Sequence, residues 1–330
     1  MTTASFSRVT TPKVFARLAA RSLGFAAFHT LLVTLVVSLP MAVHGADSGR
    51  TFATPEDALT ALAAAVKAKD TNALQGIFGP ALADIRNPDR VQAANNLQTF
   101  AAAFEANNRL VPESDSRCVL EVGEHSWPFP IPLVKRDGKW IFDTEAGEQE
   151  ILNRRIGKNE LETLQTMRAY VAAQREYASR DRDGSQVLKY AQRLFSSPGA
   201  KDGLYWPPDL EGEISPLGPL VATAHGEGYA GRSEDASRGP EPFHGYYFKI
   251  LTRQGKHAPG GKYDYIINGN MIGGFAMVAW PAEYGNSGIM TFIVNQQGRV
   301  YQKDLGLKTS KLAPAMTRYD PDPTWQLSPD

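Results

Sequence analysis

Five acids occur close together in the middle of the chain, and they are the first groups to weigh for chemistry. Glu145, Glu148 and Glu150, followed by Glu160 and Glu162, offer carboxylates of the kind a glycosidase uses in pairs. Their separation in space is not set by their spacing in the chain. Acids also favour the first turns of helices, where the helix dipole stabilises them, and Arg154 and Arg155 are expected to pair with these. Of the six histidines, His125, His225, His244 and His257 lie beyond residue 45. None belongs to a His-x-His or His-Glu-x-x-His pattern, and no cysteine pair assists, so no zinc site is expected. His244 borders a strand and is expected to hydrogen-bond a turn. Gly285-Asn-Ser-Gly288 places Ser287 between glycines, but an esterase elbow needs a strand before it and a helix after it. A strand follows here, so a turn is expected.

Asp181-Arg-Asp-Gly184 has the spacing of half a calcium loop without the later bidentate glutamate, and is read as the end of a helix. Cys118 is the only cysteine; it lies in a strand-like run and is expected to be a buried thiol. Trp206 and Trp280 each precede proline, and core anchoring is expected over sugar stacking. Gly269, Gly273 and Gly274 lack the Lys-Ser/Thr pair of a phosphate loop. No catalytic, cofactor-binding or metal-binding residue is therefore assigned, and no cofactor is expected.

The elements that hold these residues point to an α+β fold. Thr54-Pro-Glu-Asp57 is a helix-start signal, with Ala58, Leu59, Leu62, Ala65 and Val66 at helical spacing behind it. Asp70 or Thr71 starts a second helix, and Asn87-Pro88 a third, with Val91, Leu97, Phe100 and Phe104 along one side. Cys118 to Val122 reads as a strand, and a hairpin is expected around Arg136-Asp137-Gly138. Helices followed by a curled antiparallel sheet resemble the nuclear transport factor 2 type of fold, which often encloses an apolar pocket.

From Gly147 the pattern returns to helix. Gly157 is expected to break it, with Asn159 capping a second segment in which Leu161, Leu164, Met167, Tyr170, Val171, Gln174 and Tyr177 recur. Val187, Leu188, Tyr190, Ala191 and Leu194 suggest a further turn or two of helix. Ala230 to Glu241 is almost without apolar residues and is expected to be mobile. Strands follow, with Tyr246, Phe248 and Ile250 alternating toward a buried face and the opposite face half wet. Phe275, Met277 and Ala279, then Met290, Phe292 and Val294, continue the buried face. Asn295-Gln-Gln-Gly298 marks a hairpin, and Trp325 is expected to pin a surface tail. A long helix leading an antiparallel meander resembles the heads of type IV pilins.

The N-terminus has the marks of a secretory signal. Arg8, Lys13, Arg17 and Arg21 precede an apolar run densest at Leu31–Leu39, Pro40 breaks it, and cleavage is expected after Gly45. The alternative is an uncleaved anchor, since the apolar region Leu23–Val43 is about long enough to span a bilayer. No Arg-Arg pair precedes the run, which favours general secretion over the twin-arginine route. The chain has 35 basic and 35 acidic residues; removing the signal leaves 31 and 35, a balance of −4 that gives no electrostatic case for nucleic acid. The expected parts are residues 1–45 as signal, 46–146 as a small α+β domain, 147–200 as a helical segment, and 201–330 as a sheet domain with a mobile loop at 230–243 and a C-terminal tail.

Seven stretches carry a family resemblance: Arg155-Ile-Gly-Lys-Asn-Glu160, Ala173-Gln-Arg-Glu-Tyr177, Asp202-Gly-Leu-Tyr-Trp206, Ser215-Pro-Leu-Gly-Pro219, His244-Gly-Tyr-Tyr247, Trp280-Pro-Ala-Glu-Tyr-Gly285 and Val300-Tyr-Gln-Lys-Asp-Leu305. With them the chain resembles the bacterial exported family known as domain of unknown function 2950. The resemblance implies export and carries over no functional residue. The expected function is a non-enzymatic envelope protein that binds a partner protein or a cell-wall component, periplasmic or secreted, touching the membrane only through the signal segment if that is kept. The alternatives are an envelope hydrolase working through Glu and His residues, tested at Glu160 and Glu283, and a small-ligand carrier with its pocket in the first domain.

Overall fold

Thr54 and Asp57 close the first helix reciprocally. The Asp57 N–H donates to Thr54 Oγ1 at 3.1 Å and the Thr54 N–H donates to Asp57 Oδ2 at 3.2 Å, so two backbone donors that the helix leaves open are satisfied. In this computed structural model, which describes residues 49–182, 184–208, 212–229 and 241–329, that cap opens α1 (Pro55–Ala68). The expected signal segment and nearly all of the expected mobile loop lie outside the described residues. Asp70 caps α2 (Thr71–Phe78), and a 3-10 turn spans Pro80–Ala83. The third helix, α3 (Arg90–Ala106), starts later than Asn87-Pro88 would set it. Asn87 Oδ1 instead accepts from the Asp89 N–H at 3.0 Å, and Asp89 becomes the cap.

An antiparallel sheet covers these helices: β1 (Asn108–Ser114), β2 (Arg117–Val122), β3 (Trp127–Pro128), β4 (Leu133–Arg136) and β5 (Lys139–Phe142), in the order β1-β2-β4-β5 with β3 beside β2. The expected hairpin pairs Arg136 with Lys139, and Asp137 and Gly138 both take positive φ, the signature of a two-residue type I′ turn. Leu62, Phe104, Leu120, Leu133 and Phe142 make the first hydrophobic core, with Cys118 buried at its side.

Next comes α4 (Thr144–Tyr177), a single helix of 34 residues. The break expected at Gly157 does not occur. Gly157 faces solvent and keeps helical backbone, while Asn159, expected as a cap, is fully buried in mid-helix with its amide bonded to other elements. Its apolar residues serve both cores: Ile151 and Leu152 pack on the first, and Leu164, Met167, Tyr170, Val171 and Tyr177 belong to the second. Leu161 turns outward and is 64% exposed. The helix suggested over 187–194 is absent; that stretch runs without helix, and Tyr190 bridges to Met271 through its backbone. A short helix not foreseen, α5 (Gly218–Gly226), follows.

The second sheet is a meander of β6 (Tyr246–Leu251), β11 (Ala276–Pro281), β12 (Met290–Asn295), β13 (Tyr301–Asp304) and β14 (Gln326–Leu327), ordered β14-β13-β12-β11-β6. Between β6 and β11 lie two small hairpin pairs, β7 (Arg253–Gln254) with β8 (Tyr263–Asp264), and β9 (Ile266–Ile267) with β10 (Asn270–Met271). The pairing register aligns Phe248, Ala279 and Phe292 in one row and Ile250, Met277 and Val294 in the next, as the alternation predicts. α4 packs on that face. The opposite face is half wet at the edge, where Tyr247 and Lys249 of β6 are half-buried, but not at the sheet centre: Ala276, Val278, Ile293 and Asn295 are buried, because α6 (Thr309–Ala315) packs there. The Gly298 N–H closes the β12–β13 turn on the Asn295 carbonyl at 2.8 Å. The tail joins the sheet as β14, with Trp325 half-buried beneath Lys303.

Two glycines of α4 should respond oppositely to alanine. A Cβ at Gly157 meets nothing, so Gly157→Ala should raise unfolding stability by about 1 kcal/mol. A Cβ at Gly147 would lie 2.8 Å from the Pro130 carbonyl oxygen and from the Ile131 side chain, so Gly147→Ala should lower it by about 1–3 kcal/mol. Urea titration of both variants checks the signs.

Candidate functional site

Three of the sequence stretches singled out above, Arg155–Glu160, His244–Tyr247 and Trp280–Gly285, meet where α3, α4 and the second sheet come together. α4 supplies Arg155, Asn159, Glu160 and Glu162; the turn before β6 supplies His244 and Gly245; the turn after β11 supplies Glu283 to Ile289. Asn159 is the centre. Its Oδ1 accepts from Gln92 Nε2 at 2.8 Å and its Nδ2 donates to the Ser287 carbonyl at 2.9 Å. Gln92 Oε1 in turn accepts from Asn87 Nδ2 at 2.8 Å. Asp89, almost fully buried, accepts at both oxygens: Oδ1 from the Gln92 N–H at 2.9 Å, and Oδ2 from the Tyr229 hydroxyl at 2.8 Å and the Gly245 N–H at 3.0 Å. A buried carboxylate needs such donors, since an unpaired one is costly.

His244 and Gly245 form a two-residue type I′ turn, with φ of +49° and +74°, and Phe243 and Tyr246 exchange backbone hydrogen bonds across it. Gly245 is required twice over. Its φ is left-handed, and a Cβ would stand 2.4 Å from Asn159 Nδ2. The imidazole of His244 bonds not to a turn but to two carboxylates, Nδ1 with Glu162 and Nε2 with Glu227 Oε2 at 3.0 Å. Phe243 meets its ring edge-on at 4.1 Å, and Tyr229 lies 5.5 Å away. Burial alone lowers the His244 pKa, but the Glu162 hydrogen bond and the charges of Glu162, Glu227 and Asp89 outweigh it and hold the ring above its ordinary value. Burial, then Asp89, pushes the Tyr229 hydroxyl up.

The two acids that the hydrolase alternative names are occupied as structural ligands, and Ser287 sits in a turn, as expected. Glu160 Oε1 accepts from the Ile289 and Met290 N–H groups at 3.0 and 2.9 Å. Glu283 Oε2 accepts from Asn286 Nδ2 at 2.8 Å. Ser287 is buried in its turn; its hydroxyl accepts from the Glu283 N–H at 3.0 Å and donates to the Glu283 carbonyl at 3.2 Å. Arg154 pairs with Glu150 at 2.6 Å, as expected. Arg155 does not pair with the acids of its helix; it binds the Ile85 and Arg86 carbonyls and Asn286 Oδ1, and burial lowers its pKa against the pull of Glu283. His125 is exposed, and His257 pairs with Asp320 at 3.0 Å at the surface. Asp181 Oδ2 accepts from the Gln186 N–H at 2.6 Å, and Asp183 lies outside the described residues. Burial pushes the Cys118 thiol up, away from the thiolate. Trp206 is buried beside Arg182 and Lys201. Among the described residues, no group of three or more His, Cys, Asp or Glu side chains could hold a metal ion.

Beside the polar junction lies a cavity of about 150 Å³. Tyr229 and Phe243 are shared between the two: they flank His244 and also line the cavity. Its other walls are Tyr170 and Thr166 of α4, Val221 and Ala224 of α5, Phe248 and Met277 of the sheet, and Leu194 and Phe195, with His225 at the exposed rim. This cavity belongs to the second core. Sequence patterning gave no sign of it, because its walls come from segments far apart in the chain.

His244 carries the prediction for this site. Its raised folded-state pKa means that its ion pairs contribute stability fully present below the ordinary value of 6.5 and lost as pH rises through the raised value. The stability difference between the protein and His244→Asn, a residue that tolerates left-handed backbone, should therefore be larger at pH 6 than at pH 9. Denaturant unfolding at both values measures it.

A family model described as "Protein of unknown function (DUF2950)" matches residues 49–327. No curated protein and no solved structure matches the chain.

Proposed function

Since the chain belongs to the DUF2950 family, which lends it no activity, we propose from its geometry that it is an exported envelope protein that acts by binding, and that it binds an apolar group in the cavity beside Tyr229 and Phe243. The cavity is the observation that carries this reading. Protein interiors are close-packed, and a half-open, apolar-walled space of about 150 Å³ is of the size that accepts a benzene-sized guest. The neighbouring polar groups support binding over catalysis. Both His244 nitrogens, both Asp89 oxygens and the Glu160 carboxylate are already engaged by the protein, so the cluster acts as a rigid wall rather than as a source of free acid or base. Export rests on the N-terminal pattern, with processing after Gly45 and delivery to the periplasm. Among the described residues no helix is long and apolar enough to cross a membrane.

Two measurements test this. Benzene added to the purified protein should stabilise it, by about 2.7 kcal/mol at a hundredfold excess over Kd, and Ala224→Leu, which fills the cavity, should abolish the gain. No stabilisation of a folded wild-type protein would sink the binding reading. N-terminal sequencing of the protein from the periplasm should begin at Ala46; an intact N-terminus in the cytosol would sink export.

A further inference from the structure

Resting on the cavity reading above, we infer that the cavity's occupant is an apolar side chain of another protein, presented by an extended segment that adds as a strand to the free edge of β6. β6 is the last strand of its sheet. Its Tyr247–Ile250 stretch pairs with β11 on one side only; among the described residues no hydrogen bond engages the backbone N–H and C=O groups that point the other way. Such an edge is a template for a further strand. A shallow, open groove of about 620 Å³ lies beside it, lined by Lys249 and Ile250 and by Gln192 to Phe195. An added strand needs that space.

The groove and the cavity are neighbours. Leu194 and Phe195 line both. Phe248 lines the cavity and Ile250 the groove, two residues apart on the same face of β6. A strand laid on this edge turns alternate side chains to that same face, so one of them is aimed at the cavity while its backbone pairs with β6. A void of about 150 Å³ suits a side chain of leucine or phenylalanine size.

Charge narrows the partner further. Among the described residues, Arg193 and Lys249 line the groove and no carboxylate does. Arg193 is balanced by Asp202 at 3.1 Å, but among the described residues Lys249 Nζ bonds only carbonyls, those of Pro314 and Met316, at 2.6 and 2.9 Å. Lysine often guards an exposed edge; here its ammonium is drawn aside onto the end of α6, so the edge stays open, and among the described residues its charge beside the edge has no acidic partner. The segment that fits is therefore extended, with one large apolar residue flanked by acids.

The test uses the purified protein and a fluorescent capped pentapeptide, Glu-Val-Phe-Val-Glu, read by anisotropy. Binding should weaken about ten- to hundredfold when the central Phe is replaced by Gly, which removes the buried side chain. It should also weaken when alternate peptide amides are N-methylated, which removes the ladder donors, and in Lys249→Glu, which reverses the charge at the lip. Benzene should compete with the Phe peptide. If benzene stabilises the protein but no peptide binds, or the N-methylated peptide binds as well as its parent, strand addition is wrong and the cavity reading stands. If neither benzene nor peptide binds, both fail. A concentration-dependent dimer in sedimentation that Lys249→Glu disrupts would assign the edge to a second copy of this chain and overturn the inference.

Discussion

The amide of Asn159 is the constraint on which this architecture turns. It is fully buried, it accepts from Gln92 and donates to the Ser287 carbonyl, and a buried amide left without partners costs about 1–3 kcal/mol for each lost group. Both partners must therefore arrive together: the start of α3 from one side and the β11–β12 turn from the other. The demand explains why α4 runs unbroken past Gly157, since a break there would carry Asn159 away from both. It also explains the glycine at 245, whose backbone crosses the same amide too closely for any Cβ. Arg155, one turn earlier on α4, repeats the arrangement by tying residues 85–86 and Asn286 to the helix.

That junction sets the conditions for the cavity. Tyr229 is held by Asp89 through its hydroxyl, and Phe243 is held by the turn that His244 anchors between two acids. With both rings fixed from the polar side, they cannot collapse inward to fill the space between α4, α5 and the sheet. Polar satisfaction and apolar vacancy are thus two sides of one wall. Good packing would remove such a void unless its walls were pinned by other interactions, and here they are.

Local signals were legible wherever a neighbour in the chain decided the outcome. The Thr54–Asp57 cap, the Asp137-Gly138 turn and the alternation that aligns Phe248, Ala279 and Phe292 all formed as read, because each depends on residues a few positions apart or on a period-two pattern. The failures share a cause. Gly157 and Asn159 look like a helix break and cap because locally they are one; burial against α3 and a distant turn overrides that preference. Val187 to Leu194 has helical spacing but packs its apolar residues individually against the second core, with Tyr190 held by Met271. The second face of the meander read as half wet because α6, which covers it, has a proline inside it and no side-chain cap to announce it.

The candidate site was the least legible feature. His244, Glu162, Glu227 and Asp89 span more than 150 positions of chain, and no pattern joins them; each residue alone has an ordinary surface or capping role. The order of amino acids fixed the mixed helix and sheet composition, the caps and turns, the pairing alternation and the family membership, since those follow from short-range geometry and apolar periodicity. The continuity of α4, the meeting of three acids around one imidazole, and the existence of an unfilled apolar space were decided by folding, since each is a property of how separate surfaces meet rather than of any stretch of chain.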